Sequence, residues 1–132
     1  MIGLDTNVLV RYIAQDDVHQ SLAATKLIEQ KCSPENPGYV SLVTLIQVVW
    51  VSETCYDAQR KEVAEIVRNL LGARQLVLQE TETIWKALRL FESGTADFAD
   101  YMVERLAAGA GCSETFTFDK KAAKAGMKIL NA

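Results

Sequence analysis

Short apolar runs alternate along the chain with longer stretches whose apolar positions recur every three or four residues. The runs at residues 2–4, 39–42, 76–78, 115–118 and 127–130 predict five short strands. Between the first two, Val8, Leu9 and Tyr12 mark a short helix. A second begins near Asp16-Asp17 and carries Leu22, Ala23, Leu27 and Ile28 on one face. It stops at Cys32-Ser33-Pro34-Glu35-Asn36-Pro37-Gly38, which holds both prolines and is the clearest loop in the chain. Residues 43–51 are long and apolar enough for a buried helix. Val63, Ile66, Val67, Leu70 and Leu71 mark another, with Asp57 as its expected cap and Gly72 closing it. A further helix over residues 82–91 stops at Ser93-Gly94, and one more starts near Asp97. Strands alternating with helices in this way give an α/β fold, a mostly parallel sheet of about five short strands between two helical layers.

At 132 residues, 49 % of them hydrophobic, the chain has the length and composition of one globular domain spanning residues 1–132. No apolar run approaches the ~20 residues of a membrane span, and the opening segment lacks the basic region and cleavage site of a secretory signal. Cys32, Cys55 and Cys112 are odd in number and form no C-x-x-C pair, and His19 is the only histidine, so a zinc site is not expected. Unpaired cysteines suit a reducing cytoplasm. A formal net charge of −3 argues against a broadly basic nucleic-acid binder while leaving room for a local basic patch beside an acidic site.

The chemistry concentrates in acidic residues at element boundaries. Asp5 ends the first strand in Met1-Ile2-Gly3-Leu4-Asp5-Thr6-Asn7, and Asp119 repeats the arrangement after Thr115-Phe116-Thr117-Phe118. Residues just beyond the carboxyl ends of parallel strands line the crevice where ligands bind, so these two can share a site. Both also suit a helix N-cap. In Ala96-Asp97-Phe98-Ala99-Asp100 the spacing fits a capping box, which makes Asp97 a cap or supporting group and Asp100 the expected ligand, with Glu104 continuing the same face. Three carboxylates in one crevice repel each other unless a cation neutralises them, and oxygen ligands without His or Cys point to Mg²⁺ or Mn²⁺. Gln47 is the lone polar residue between Leu45 and Val51. An amide buried there needs partners, since leaving it unsatisfied costs ~1–3 kcal/mol.

The segments Leu4-Asp5-Thr6-Asn7-Val8-Leu9-Val10-Arg11, Leu45-Ile46-Gln47-Val48-Val49-Trp50-Val51, Ala96-Asp97-Phe98-Ala99-Asp100 and Thr117-Phe118-Asp119-Lys120 together resemble a PIN domain, and more closely the VapC-type toxins of toxin–antitoxin pairs. The resemblance implies a PIN-like three-layer α/β/α fold and a Mg²⁺- or Mn²⁺-dependent endoribonuclease. It implies three further things: inhibition by a cognate antitoxin, a homodimer, and assembly into a larger toxin–antitoxin complex. Carried over by position, Asp5, Asp100 and Asp119 are metal ligands, and Thr6, Asn7, Asp97 and Thr117 are supporting groups. Gln47 stands where the family normally places Glu. An amide offers a carbonyl oxygen but neither a negative charge nor a carboxylate base. Glu53, six positions on, is out of phase on a helix and a poor substitute. Arg11, Lys120 and Lys121, with Lys124, could steer an RNA backbone, although charges of this kind are more often solvated helix faces.

Two other classes stay open at this stage. One is a PIN-like binding module that keeps its antitoxin and dimer contacts but cleaves weakly or not at all because of Gln47. The other is a phosphoryl-transfer domain with an Asp at a strand end. Asn7, where a second Asp belongs in the haloacid-dehalogenase pattern, and the lack of an adjacent acidic pair near the first strand count against it.

Overall fold

The computed structural model describes residues 1–132. Thirteen elements follow one another as strands and helices, and the chain divides into two compact units, Met1–Gln79 and Glu80–Ala132.

The first unit is built on β1 (Ile2–Gly3), β2 (Gly38–Val40) and β3 (Leu76–Leu78), a parallel three-stranded sheet in sequential order. Helices α1 (Thr6–Ala14) and α2 (Val18–Lys26) join β1 to β2, and a single π-helical turn, Leu27–Lys31, prolongs α2. Helices α3 (Leu42–Cys55) and α4 (Arg60–Gly72) join β2 to β3. Leu9, Ile28, Val40, Leu45, Val48, Val63 and Val67 are sealed in the core between sheet and helices. Burying each such side chain contributes roughly 1.5–3 kcal/mol, so this core holds the strand ends and helix starts in register.

Two sequence expectations are corrected here. The second strand stops at Val40 because the Ser41 hydroxyl accepts the Thr44 N–H and starts α3, so Leu42 is helical. Asp57 does not cap α4 and instead takes a left-handed backbone with φ 54°. The cap is Gln59, whose N–H donates to the Glu62 carboxylate at 3.0 Å in a reciprocal capping box.

The second unit packs α5 (Thr81–Ser93) against α6 (Phe98–Gly109), followed by β4 (Phe116–Thr117), the short α7 (Lys120–Ala123) and β5 (Lys128–Ile129). Strands β4 and β5 pair in parallel with each other, so the five strands form a sheet of three and a sheet of two. Phe91 and Phe98 meet edge-on at 5.8 Å between centroids, and Phe91 meets Tyr101 at 6.4 Å. The Tyr101 hydroxyl in turn accepts the buried Ala96 N–H at 3.3 Å, which fixes the loop that starts α6.

Space, not backbone conformation, demands glycine at position 94. A Cβ there would lie 1.9 Å from the Tyr101 hydroxyl and 2.9 Å from the Leu90 carbonyl oxygen. Gly94→Ala is expected to lower stability by about 1–3 kcal/mol, the usual cost of overpacking, as read by thermal melting. In a Tyr101→Phe background the same substitution should cost less, because the nearest clash is gone. Additive costs would contradict this account.

Candidate functional site

In the first unit, Asp5 caps α1, its Oδ1 accepting the Thr6 N–H at 2.8 Å. The strand ends at Gly3, the buried Leu4 joins it to the helix, and Asp5 is the first side chain able to serve the helix's free N–H groups. Across from it, the Thr6 hydroxyl donates to Gln47 Oε1 at 2.6 Å. Gln47 is exposed, which corrects the expectation of a buried amide: α3 turns Leu45, Val48 and Val49 inward and leaves Val43, Gln47 and Trp50 on its outer face. Asp5, Thr6, Asn7, Arg11, Gln47 and Tyr56 are among the residues lining a cavity of about 510 Å³.

Arg11 closes one side of this cavity and is held firmly. Its Nε donates to Gln20 Oε1 at 2.8 Å, and its Nη1 reaches Asp16 Oδ1 at 3.2 Å and the Tyr56 hydroxyl at 3.1 Å. Tyr56 donates onward to Asp16 Oδ2 at 2.6 Å. That hydrogen bond, aided by the Arg11 charge, draws the Asp16 carboxyl below its ordinary pKa against the opposing effect of desolvation. Gln20 and Tyr56 were not singled out from the sequence, and Asp16 was read only as part of a helix start. Arg11 and Asp16 lie five positions apart across a helix end, a weak hint, but Tyr56 joins them from 40 residues away and carries no local signal.

In the second unit, Asp97 caps α6 and Asp100 closes the capping box, its Oδ2 accepting the Asp97 N–H at 3.0 Å. Asp119 caps α7, its Oδ1 accepting the Lys121 N–H at 2.8 Å, while the Thr117 hydroxyl accepts the Asp119 N–H at 3.0 Å. Lys121 Nζ pairs with Asp97 Oδ1 at 2.8 Å. Asp97, Asp100, Asp119 and Lys121 are therefore one electrostatic group. Burial pushes the half-buried Asp100 carboxyl above its ordinary pKa, and the charges of Asp97 and Asp119 push it further, against the hydrogen bond from the Asp97 N–H and the attraction of Lys121. Lys120 is exposed in the first turn of α7.

The candidate residues thus fall into two sets, Asp5, Thr6, Asn7, Arg11 and Gln47 in the first unit and Asp97, Asp100, Thr117, Asp119, Lys120 and Lys121 in the second. Neither unit by itself gathers three acidic, His or Cys side chains closely enough to hold a metal ion. The chemistry available is nonetheless that of hard oxygen donors, and the raised pKa of Asp100 marks a place where added positive charge would be stabilising.

The PIN-domain family model matches residues 2–128. A VapC ribonuclease of Aquifex aeolicus (strain VF5) is 22% identical over 128 residues, spanning 97% of this chain and 94% of that protein.

Because the folded-state pKa of Asp100 lies above its ordinary value of 3.8, the folded chain retains a proton that the unfolded chain has lost. Stability from this group is complete below the unfolded pKa and is lost as pH rises through the folded pKa. Asp119→Asn removes one repelling charge. In metal-free buffer it should lower the Asp100 midpoint in a carboxyl ¹³C titration and weaken the fall of melting temperature across that window. An unchanged midpoint would refute the coupling.

Proposed function

This chain belongs to the PIN-domain family, and on that footing we propose that it is a metal-dependent endoribonuclease, the toxin of a type II toxin–antitoxin pair acting in the cytoplasm. Residues 1–132 are read as one domain of that family, since the family match runs through both units. The observation that carries the reading is the acidic group of the second unit. Asp100 and Asp119 are fixed by backbone N–H groups at two helix starts, and burial, with the charges of Asp97 and Asp119 added to it, holds the Asp100 carboxyl above its ordinary pKa.

These donors fit a hard divalent cation, Mg²⁺ or Mn²⁺, which Asp100 and Asp119 would hold, with Asp5 the corresponding carboxylate of the first unit. When bound, the ion supplies a water of lowered pKa and neutralises charge on the scissile phosphate. The protein's own residues do the rest. The Lys121 N–H holds the Asp119 carboxylate, the Thr117 hydroxyl anchors the Asp119 backbone by accepting its N–H, and the Asp97 N–H holds the Asp100 carboxylate. Lys120 and Lys121 offer cationic groups to an RNA backbone beside the carboxylates. Thr6 orients Gln47 so that its amide nitrogen, a hydrogen-bond donor, faces away from the threonine.

Association with an antitoxin and with a second copy belongs to the same reading. Val43 and Trp50, two turns apart on α3 and 70 % and 61 % exposed, give the first unit an apolar face suited to such contact. No helix is long and apolar enough to cross a membrane.

A second reading, a binding module that cleaves weakly, is favoured by Gln47, which brings a neutral amide where a carboxylate would add charge to the site. The two readings separate on one substitution. Gln47→Glu is expected to raise Mg²⁺-dependent cleavage of single-stranded RNA by on the order of 10²–10³, the usual weight of one electrostatic contact in a transition state. The gain should vanish when Asp5→Asn is added, which a contaminating nuclease would ignore. Equal cleavage by the parent chain and Gln47→Glu would show that position 47 is not the missing carboxylate.

A further inference from the structure

Arg11 and Asn7 line two cavities at once. One is the 510 Å³ cavity that contains Asp5, Thr6 and Gln47. The other, of about 290 Å³, lies between α1 and α2, with an apolar floor of Val8, Ala23, Ala24 and Leu27 and the amides of Asn7 and Gln20 at its edge. No acidic side chain lines this second cavity. Apolar walls with a few amides suit a flat heteroaromatic ring that carries donors and acceptors along its rim. Unstacked bases of single-stranded RNA are recognised in this way, held on an apolar surface and hydrogen-bonded along their edges.

The guanidinium between the cavities is prepared for a further contact. Gln20 takes Nε, and Asp16 and Tyr56 take Nη1, which leaves Nη2 without a partner inside the protein. Tyr56 also holds Asp16, so the whole group is braced from α3 as well as from α1 and α2. Asp16 offsets most of the arginine's long-range attraction, and what survives is a fixed donor at a fixed place.

We propose that the cavity between α1 and α2 receives a nucleobase of the RNA strand, and that Arg11 Nη2 binds the phosphate joining that nucleotide to the one in the Asp5 and Gln47 cavity. Gln20 serves both, since its carbonyl oxygen anchors Arg11 and its amide nitrogen is left for the base edge. Tyr56 and Asp16 are positioning residues that keep the guanidinium on the wall between the two cavities. This inference rests on the ribonuclease reading and extends it to a substrate subsite.

The test is binding of a fluorescent single-stranded RNA to the full chain in excess chelator, so that hydrolysis is silent, with anisotropy read over a range of salt. Ala23→Leu fills the cavity from an exposed position and should weaken binding about fivefold or more, the low end of what one held base contributes. An otherwise identical RNA with one abasic nucleotide should bind the parent more weakly but lose little further on Ala23→Leu. Arg11→Met should reduce the slope of log affinity against log salt by about 0.7, the value for one phosphate contact on a single strand. A role for Arg11 in folding alone would leave that slope unchanged. If the parent binds RNA while both variants match it in affinity and slope, the subsite is wrong and the ribonuclease reading stands. If the parent does not bind RNA at all under these conditions, the subsite is overturned, while the ribonuclease reading is decided separately by Mg²⁺-dependent cleavage.

Discussion

Backbone N–H groups at helix starts hold the acidic side chains of this chain, and the candidate chemistry depends on that arrangement. Asp5, Asp97 and Asp119 cap α1, α6 and α7, and Asp100 completes the box at the start of α6. Each cap satisfies donors that the helix cannot, a contribution of about 0.5–2 kcal/mol, and each helix dipole favours a negative charge at that end. Folding alone therefore accounts for a carboxylate at these places. It does not account for the pressing of three of them into one group, where Asp100 is left with a raised pKa. Burial of Asp100 beside two like charges, rather than capping, sets that shift.

In the first unit the balance differs. Asp5 faces a neutral amide fixed by the Thr6 hydroxyl, and Arg11 closes the cavity while tied to Asp16 and Tyr56. A carboxylate at position 47 would bring a second negative charge to the cavity that Asp5 also lines. Gln47 avoids that repulsion and keeps the hydrogen bond from the Thr6 hydroxyl.

Much of this was legible in the residues. Strand ends and helix starts near Asp5, Asp97 and Asp119 follow from an apolar run meeting a strong capping residue, which is local information. Gln47 was placed on the correct helix but on the wrong side of it, because an apolar stretch with no clear stripe gives no phase, and α3 exposes Val43 and Trp50 where burial was expected. Asp57 looked like a cap by residue type, whereas the Gln59 and Glu62 pair two residues later satisfied more donors. The brace of Tyr56, Asp16 and Arg11 was not readable, since it brings the end of α3 to the start of α2 by tertiary packing. The likeness of the four motifs to the PIN family carried over nearly the whole chain, and the family match over residues 2–128 agrees with it.

The most direct test of the central claim is calorimetric titration of the parent chain with Mn²⁺, alongside Asp5→Asn, Asp100→Asn and Asp119→Asn. Each substitution keeps the side chain's shape and an oxygen able to accept the capping N–H, so the fold should survive and the change in binding should report charge. Saturable binding by the parent, weakened about tenfold or more in each variant, is the expected result. Undiminished affinity in all three would contradict the account, and the carboxylates would then be helix caps and nothing more.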